Sequence, residues 1–411
     1  MTQHQTSSPA YTVRAAHCPY QAPPEEIFET LERITAPLDR AWQKLGRAQT
    51  IAIKTNMVWP PERVRRVDGR CQELVDEEVM RGVLRLLRQR TTARLVVADT
   101  TLQPGGPQAC ADKARLYPLL AEFGAEYVEC NDAPFETYDV PGGGLMFARY
   151  QLNPIFREAD AMVSVATLKN HGFMGVTMCC KNLFGLCPVH PDCRPRQYFH
   201  HFIRLPFVLA DLGRILQPDL NIVDGLVGQS QREWGGNAWT SETLLAGDQL
   251  IATDLCGAVL MGHDPFSDWP APPFRRDRNH LRVATDSGFG PQSLDEIDFE
   301  HDLHPPLGQF DSDATDSPEQ VLNWRRTMCE QALLYAEHPE RFAEYAGEYI
   351  YLQDGNVLFH GDQVPNFSRR DMGARRDTAI FLKYVEPEPF EEERFGVYER
   401  ELAAMRENAP A

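Results

Sequence analysis

Lys169, Asn170, His171, Lys181 and Asn182 all fall within one stretch, Ala161 to Leu186 (AMVSVATLKNHGFMGVTMCCKNLFGL), which gathers two amines, two amides and an imidazole around a Gly-rich turn. A lysine desolvated beside another cation loses affinity for its proton and can act near neutral pH, and an imidazole needs little adjustment to do the same. Lys169, His171 and Lys181 are therefore the expected catalytic residues, in proton abstraction beside a carbonyl, racemisation or elimination. Lys54, Asn56, Asp99, Thr100, Asn170, Asn182 and Asp224 are the expected substrate-binding set, the amides orienting a carbonyl or carboxylate and the aspartates holding the cations. The competing reading makes the lysines structural ion-pair partners of Asp99, Asp224 and Asp254.

Two other chemistries have candidate residues. Cys187, His190, Cys193 and His200 or His201 offer soft and borderline ligands for zinc or iron, although their spacing matches no standard structural site. A metal-dependent redox enzyme using His171, His190, His200 and cysteines is thus the runner-up, with a divalent metal as its cofactor. Cys179 or Cys180 could be a nucleophile activated by Lys181, but read as neighbours on a strand they point to opposite faces, and a small core residue is the stronger reading. No phosphate loop and no Gly-x-Gly-x-x-Gly turn follows a predicted strand, so there is no nucleotide signature. Gly105-Gly106 remains a turn that could cradle an anion. Cysteines do not recur every third residue, so an iron–sulfur cluster has no evident ligands.

These residues need a scaffold that delivers them to one place. Met162 to Leu168 reads as a buried strand that stops at Lys169, and Lys181-Asn182 sit in a second apolar frame closed by Gly185. Further strands are expected at Tyr11 to Val13, Thr50 to Lys54, Arg94 to Ala98, Ala125 to Cys130 and Leu220 to Val223. Helices are expected after Pro23, at Glu73 to Arg90, Ala111 to Phe123 and Tyr198 to Leu216, and from Ile251 with Asp254 near its start. Strands alternating with helices predict an α/β fold, a largely parallel sheet with helices on both faces. Ligands in such sheets bind beyond the carboxyl ends of the strands. Four predicted strands end there in Lys54/Asn56, Asp99/Thr100, Lys169/Asn170/His171 and Asp224. Trp59, Arg63, Arg65, Arg66 and Arg70 form a basic island that either faces an anion or pairs with neighbouring acids.

The 411-residue chain is 43% apolar, enough for one large core and a smaller unit. A break near Pro305 to Asp316 divides it into an α/β domain over 1–308 and a small C-terminal α+β extension over 309–411. The extension holds a helix at Pro318 to His338, a hairpin turning at Asp354-Gly355, and a third strand at Thr378 to Val385. A net charge of −18 argues against nucleic acid or a membrane surface as partner. With no apolar run near the ~20 residues of a membrane span and no secretion signal at the start, a cytoplasmic location is expected. The apolar hairpin suggests a homo-oligomer.

The chain resembles the domain of unknown function 362 family. The resemblance rests on IAIKTN at Ile51 to Asn56, the strand ending in Asp99, TLKNHGFMGVTMCCKNLFGL at Thr167 to Leu186, His200, LNIVDGL at Leu220 to Leu226, and LLAGDQLIATD at Leu244 to Asp254. It implies an α/β fold and no general activity. The chain lacks the ferredoxin module of some members, so electron transfer is not implied. Lys54-Thr55-Asn56 replaces the usual Lys-Pro-Asn, and GQSQREWGGN at Gly228 to Asn237 replaces an acidic Gly-Pro loop. GEYIYLQDGNVLFHG is similar to small β-rich modules attached to unrelated enzymes.

The resulting expectation is an enzyme acting on a small anionic or carbonyl-containing metabolite by Lys/His acid–base chemistry, of isomerase or lyase type. A non-catalytic protein that binds a metabolite or metal is the alternative from another class.

Overall fold

The computed structural model describes residues 10–56, 64–100, 111–364 and 372–407. Its strands, in chain order, are β1 (Tyr11–His17), β2 (Thr50–Lys54), β3 (Arg94–Asp99), β4 (Glu126–Glu129), β5 (Ala161–His171), β6 (Leu220–Ser230), β7 (Thr243–Gly247) and β8 (Ile297–His301). They form one sheet in the order β8-β1-β7-β6-β5-β2-β3-β4. Every neighbouring pair in it is parallel except those made by β7, which runs against both β1 and β6. The expected largely parallel α/β sheet is therefore present, with one reversed strand.

The period of two along each strand sorts apolar residues into two cores. Ile51, Ile53, Leu95, Val97, Val163 and Val165 face one way, onto α1 (Pro24–Thr35) and α2 (Glu77–Arg90) through Ile27, Leu31, Val79 and Val83. Ala52, Val96, Ala98, Met162 and Ala166 face the other way, with α4 (Met178–Leu183), α5 (Arg204–Leu216) and α6 (Leu250–Leu260) on that side; α3 (Ala111–Glu122) follows β3. Asp76 caps α2 by accepting from the Glu78 N–H at 3.0 Å. No described helix is long and apolar enough to cross a membrane.

β2 starts a walk toward β3 and β4, and β5 then returns to its other side and leads to β6. The strand order reverses between β2 and β5, which is where an open α/β sheet leaves a crevice. β5 also overhangs: Lys54 pairs with Ser164, and β5 continues to His171. The predicted strand end at Leu168 is thus too early. Lys169 and Asn170 look like loop residues in sequence, but their backbone is held by β6 at Gln229 and by the short return strand Gly175–Val176.

The C-terminal part has α7 (Pro318–Glu337), strands β9 (Tyr349–Gln353), β10 (Asn356–Gly361) and β11 (Phe381–Tyr384), and α8 (Gly396–Glu407). Gln353 pairs with Asn356, and Asp354 and Gly355 both take positive φ, 51° and 77°, as a two-residue hairpin turn requires. Tyr349, Phe381 and Tyr398 belong to the same apolar cluster as Phe147 and Phe199 of the first three hundred residues.

Candidate active site

Period-two alternation decides which residues of the overhang meet. Thr167, Lys169 and His171 line a cavity of about 240 Å³, while Leu168 lies in the core on the opposite face. Lys54 and Asn56 enter from the end of β2, Lys181 and Asn182 from α4, Arg196 and His200 from the segment before α5, and Glu233 and Trp234 from the loop after β6. Cys179 and Cys180 open α4 rather than extending a strand, and the capping acid comes from α6: Asp254 accepts their N–H groups at 2.9 and 2.7 Å. That contact fixes the first turn of the helix carrying Lys181.

The three lysines have different surroundings. Lys54 Nζ lies 3.0 Å from Asp99 Oδ1, each side chain 1% exposed, and also donates to the Thr55 carbonyl. Burial pushes both groups toward their neutral forms, and their mutual attraction opposes it. Gly185 passes directly over this pair, where a Cβ would come 2.8 Å from Lys54 Cε. Lys169 Nζ donates to the Glu73 carbonyl at 2.7 Å and lies 4.5 Å from the centre of the Trp234 ring. Burial lowers its pKa to about 8 against the pull of Glu73 and Glu233. Lys181 Nζ has no hydrogen bond or ion pair among the described residues and sits 4.5 Å from the centre of the Phe184 ring. Burial, then the charge of Arg196, brings its pKa down to about 7.

His171 Nδ1 accepts from the N–H groups of Phe173 (3.0 Å) and Met174 (3.2 Å). Those two donors require a lone pair at Nδ1, so the proton resides on Nε2, and the 3.5 Å approach of Glu233 Oε2 to Nδ1 is not an ion pair. Burial also drives the imidazole pKa well down. His171 is therefore a neutral Nε2–H donor at pH 7, a narrower role than acid–base shuttle. His200, its ring centre 6.4 Å away, is likewise neutral, lowered to about 4 by burial and by Lys181.

Arg196, Glu233 and Trp234 were not among the expected site residues. Arg196 Nη1 is buried without a hydrogen-bond partner among the described residues, and its guanidinium lies 5.4 Å from the same Phe184 ring centre. Glu233 accepts from the Gly172 N–H at 3.1 Å; burial opposes its charge, but that N–H and the nearby basic side chains outweigh burial and hold its pKa low. Four basic side chains (Lys54, Lys169, Lys181, Arg196) thus meet three acidic ones (Asp99, Glu233 and, behind Lys169, Glu73), so the site carries one excess positive charge when Lys181 is protonated and is balanced when it is neutral.

Several expected residues play supporting parts. Asn56 clamps a loop, donating to the Glu73 carbonyl and accepting from the Val75 N–H, both at 2.9 Å. Asn182 donates to the carbonyls of Lys54 and Val165 and to Ser164 Oγ, tying α4 to both strands. The Thr100 N–H donates to Asp99 Oδ1 at 2.8 Å. Asn170 faces away, with Nδ2 on the Gly175 carbonyl at 2.9 Å and near His263. Asp224 does not reach the cavity either: it accepts from the N–H groups of Asp76 (2.8 Å) and Leu226 (3.0 Å). Of the ion pairs envisaged with Asp99, Asp224 and Asp254, only Lys54 with Asp99 forms.

The metal candidates are not gathered. Among the described residues Cys187, His190, Cys193 and His200 do not bring three ligand atoms within 4.8 Å of one another. His190 turns onto Phe135, ring centres 5.2 Å apart, and accepts from the Asp192 N–H, while His200 packs on Phe173 and Phe184. The triad that does meet this distance, Cys71, Asp76 and Glu77, has its carboxylates on Arg70, Arg66 and the Cys71 N–H. Cys179 and Cys180 are buried, with thiol pKa values well above the ordinary range because of burial. In the basic island, Arg65 donates to the Gly236 carbonyl, while Arg66 and Arg70 pair with Glu77 and Asp76. Trp59, Arg63 and Gly105-Gly106 lie outside the described residues.

A family model described as "Domain of unknown function (DUF362)" matches residues 51–259. The chain belongs to this family. The DUF362 region begins within β2 and ends within α6, so it contains every cavity residue named above and Asp254, the cap of α4. Among solved structures, the chain is similar to a DUF89 family protein from Pyrococcus horikoshii at 11% identity, over 31% of this chain and 36% of that one, with a TM-score of 0.19. The match spans about a third of that chain, and a likeness this slight carries no argument. Comparison with curated proteins returns no match.

One compositional signal would have pointed to the site. The chain has only six lysines among its 41 basic side chains, and three of them, Lys54, Lys169 and Lys181, line this cavity. Arginine cannot lose its proton in a protein and lysine can, so lysines clustered in one cavity of an arginine-rich chain mark a place where a neutral amine is attainable, although buried Lys383 is instead held protonated by Glu391 and Glu393.

Proposed function

We propose that the cavity binds a small carboxylate-bearing metabolite and that Lys181 moves a proton at the carbon beside its carbonyl. The observation that carries this reading is the amine of Lys181, held by no described acceptor and brought to about pH 7 by burial and Arg196, in a cavity that Lys169 and Arg196 also line. An amine poised at the working pH is half base and half acid, which suits isomerisation or elimination. Lys169, Arg196 and the Nε2–H of His171 supply the charge and donor that stabilise an enolate or carboxylate in a water-poor site. A volume of about 240 Å³ suits a metabolite smaller than a nucleotide.

The test is solvent exchange. The protein is incubated in D2O with a panel of small keto acids, hydroxy acids and amino acids, and NMR follows loss of the proton beside the carbonyl or carboxylate. Exchange with at least one compound, lost in Lys181→Met, is the expected result. Binding without exchange assigns the protein to the non-catalytic class, and exchange that survives in the variant removes Lys181 as the base.

A further inference from the structure

We infer, resting on the reading above, that Lys181 is also a covalent nucleophile, whose amine condenses with the carbonyl of a small keto acid held through its carboxylate by Arg196. Three relationships carry this. Lys181 alone among the cavity lysines has an amine that no described acceptor holds. Lys54 is held by Asp99 and the Thr55 carbonyl, and Lys169 by the Glu73 carbonyl, so each must give up or share an existing contact to attack. Next, Lys181 Nζ and the Arg196 guanidinium lie 4.5 and 5.4 Å from the Phe184 ring centre, and both side chains line the same cavity, so a small molecule in it meets both. Finally, Arg196 Nη1 is a buried donor with no partner among the described residues, a standing destabilisation that a carboxylate relieves through a charge-assisted hydrogen bond. A permanent cation beside a desolvated amine is the arrangement that keeps such an amine unprotonated and reactive.

The step balances without an oxidant or reductant. The Nζ lone pair forms a bond to the carbonyl carbon, the carbonyl π pair moves to oxygen, and one of the two N–H protons passes from the now cationic nitrogen to that oxygen, giving a neutral carbinolamine. The nitrogen lone pair then expels the oxygen, which takes a second proton from solvent and leaves as water, and the nitrogen returns its remaining N–H proton to solvent, leaving an imine. Protonation of the imine nitrogen gives a cation that draws electrons from the adjacent C–H or C–carboxylate bond. The neutral His171 keeps its Nε2 proton and offers that N–H as a hydrogen bond to the departing oxygen.

Borohydride trapping tests it on the full chain. Glyoxylate, pyruvate, 2-oxobutyrate and acetoacetate are each added, followed by sodium borohydride and peptide mass mapping. The expected result is a reduced, stable alkyl adduct on Lys181 from at least one probe, with the exposed Lys44 serving as the measure of non-specific labelling. Arg196→Gln should lower that adduct about tenfold, the loss of one modest ion pair. Lys181→Arg should show none, with thermal unfolding verifying its fold. Labelling of Lys181 no greater than that of Lys44 with every probe overturns the proposal. Solvent exchange that persists without an adduct removes the covalent step and leaves the acid–base reading, whereas loss of both removes both.

Discussion

Lys54 and Asp99 form an ion pair 3.0 Å long with each side chain 1% exposed, directly beneath Gly185. Removing one partner of such a pair strands the other charge in the interior. Asp99→Asn is expected to destabilise the protein by about 3–5 kcal/mol, and Lys54→Met with Asp99→Asn together by less than Asp99→Asn alone. Urea unfolding followed by circular dichroism measures both; a double variant no more stable than the single would show that the pair contributes through something other than charge.

The two partly titrating lysines set a pH window. Below about 7 Lys181 is protonated and has no lone pair, and above about 8 Lys169 loses the charge that attracts an anion. Turnover should therefore rise toward pH 7 and fall beyond 8, a bell read from kcat/KM between about pH 5 and about pH 10. A profile flat on the acid side would dissociate Lys181 from the chemistry. Trp234→Ala, by wetting Lys169, should move the alkaline limb upward.

His171 offers a clean separation of fold from function. In His171→Asn the amide oxygen can replace Nδ1 as acceptor for Phe173 and Met174, but the Nε2–H is gone. Stability should stay within about 1 kcal/mol while kcat drops by about 10²-fold or more. His171→Ala leaves the two N–H groups without an acceptor and should cost about 1–3 kcal/mol in addition. Equal activity in wild type and His171→Asn would assign the imidazole to turn geometry alone.

Lys181 should lower stability while serving function. Its pKa in the folded protein, about 7, lies below the usual lysine value near 10.5, so the unfolded chain holds the proton more tightly. The resulting penalty is absent near pH 10.5, grows as pH falls, and is constant below about 7. Lys181→Met should thus be more stable than wild type at neutral pH by up to about 1.4 kcal/mol for each pKa unit of that depression, with the difference closing toward pH 10. Denaturant midpoints at several pH values test the sign.

Much of this was legible in sequence because apolar periodicity is local. IAIK, RLVVA and the run from Met162 announce strands by their residues alone, and Asp354-Gly355 announces a turn by backbone preference. Lys169 and His171 line the cavity, but the polar character of Lys169-Asn170-His171 disguised them as loop, because the partners that keep them extended come from Gln229 and Val176. Cys179-Cys180 looked like strand because the acid that starts their helix is supplied from α6. Arg196, Glu233 and Trp234 escaped notice for a similar reason: nothing in RPRQYFH or QREWGGN states that these loops converge on the end of β5. Asp224 was a strand-end aspartate like Asp99, and only the position of the Asp76 N–H reveals what it accepts.

The anchoring of α4 by Asp254 has a consequence for the emerging polypeptide. Cys179 and its capping carboxylate are 75 residues apart in sequence, so a ribosome-bound chain that has released Lys181 but not yet Asp254 has the ties of Asn182 to the strands but not the cap that starts the helix. If Lys181 acts as proposed, fragments ending before α6 should lose activity even where their remaining strands assemble.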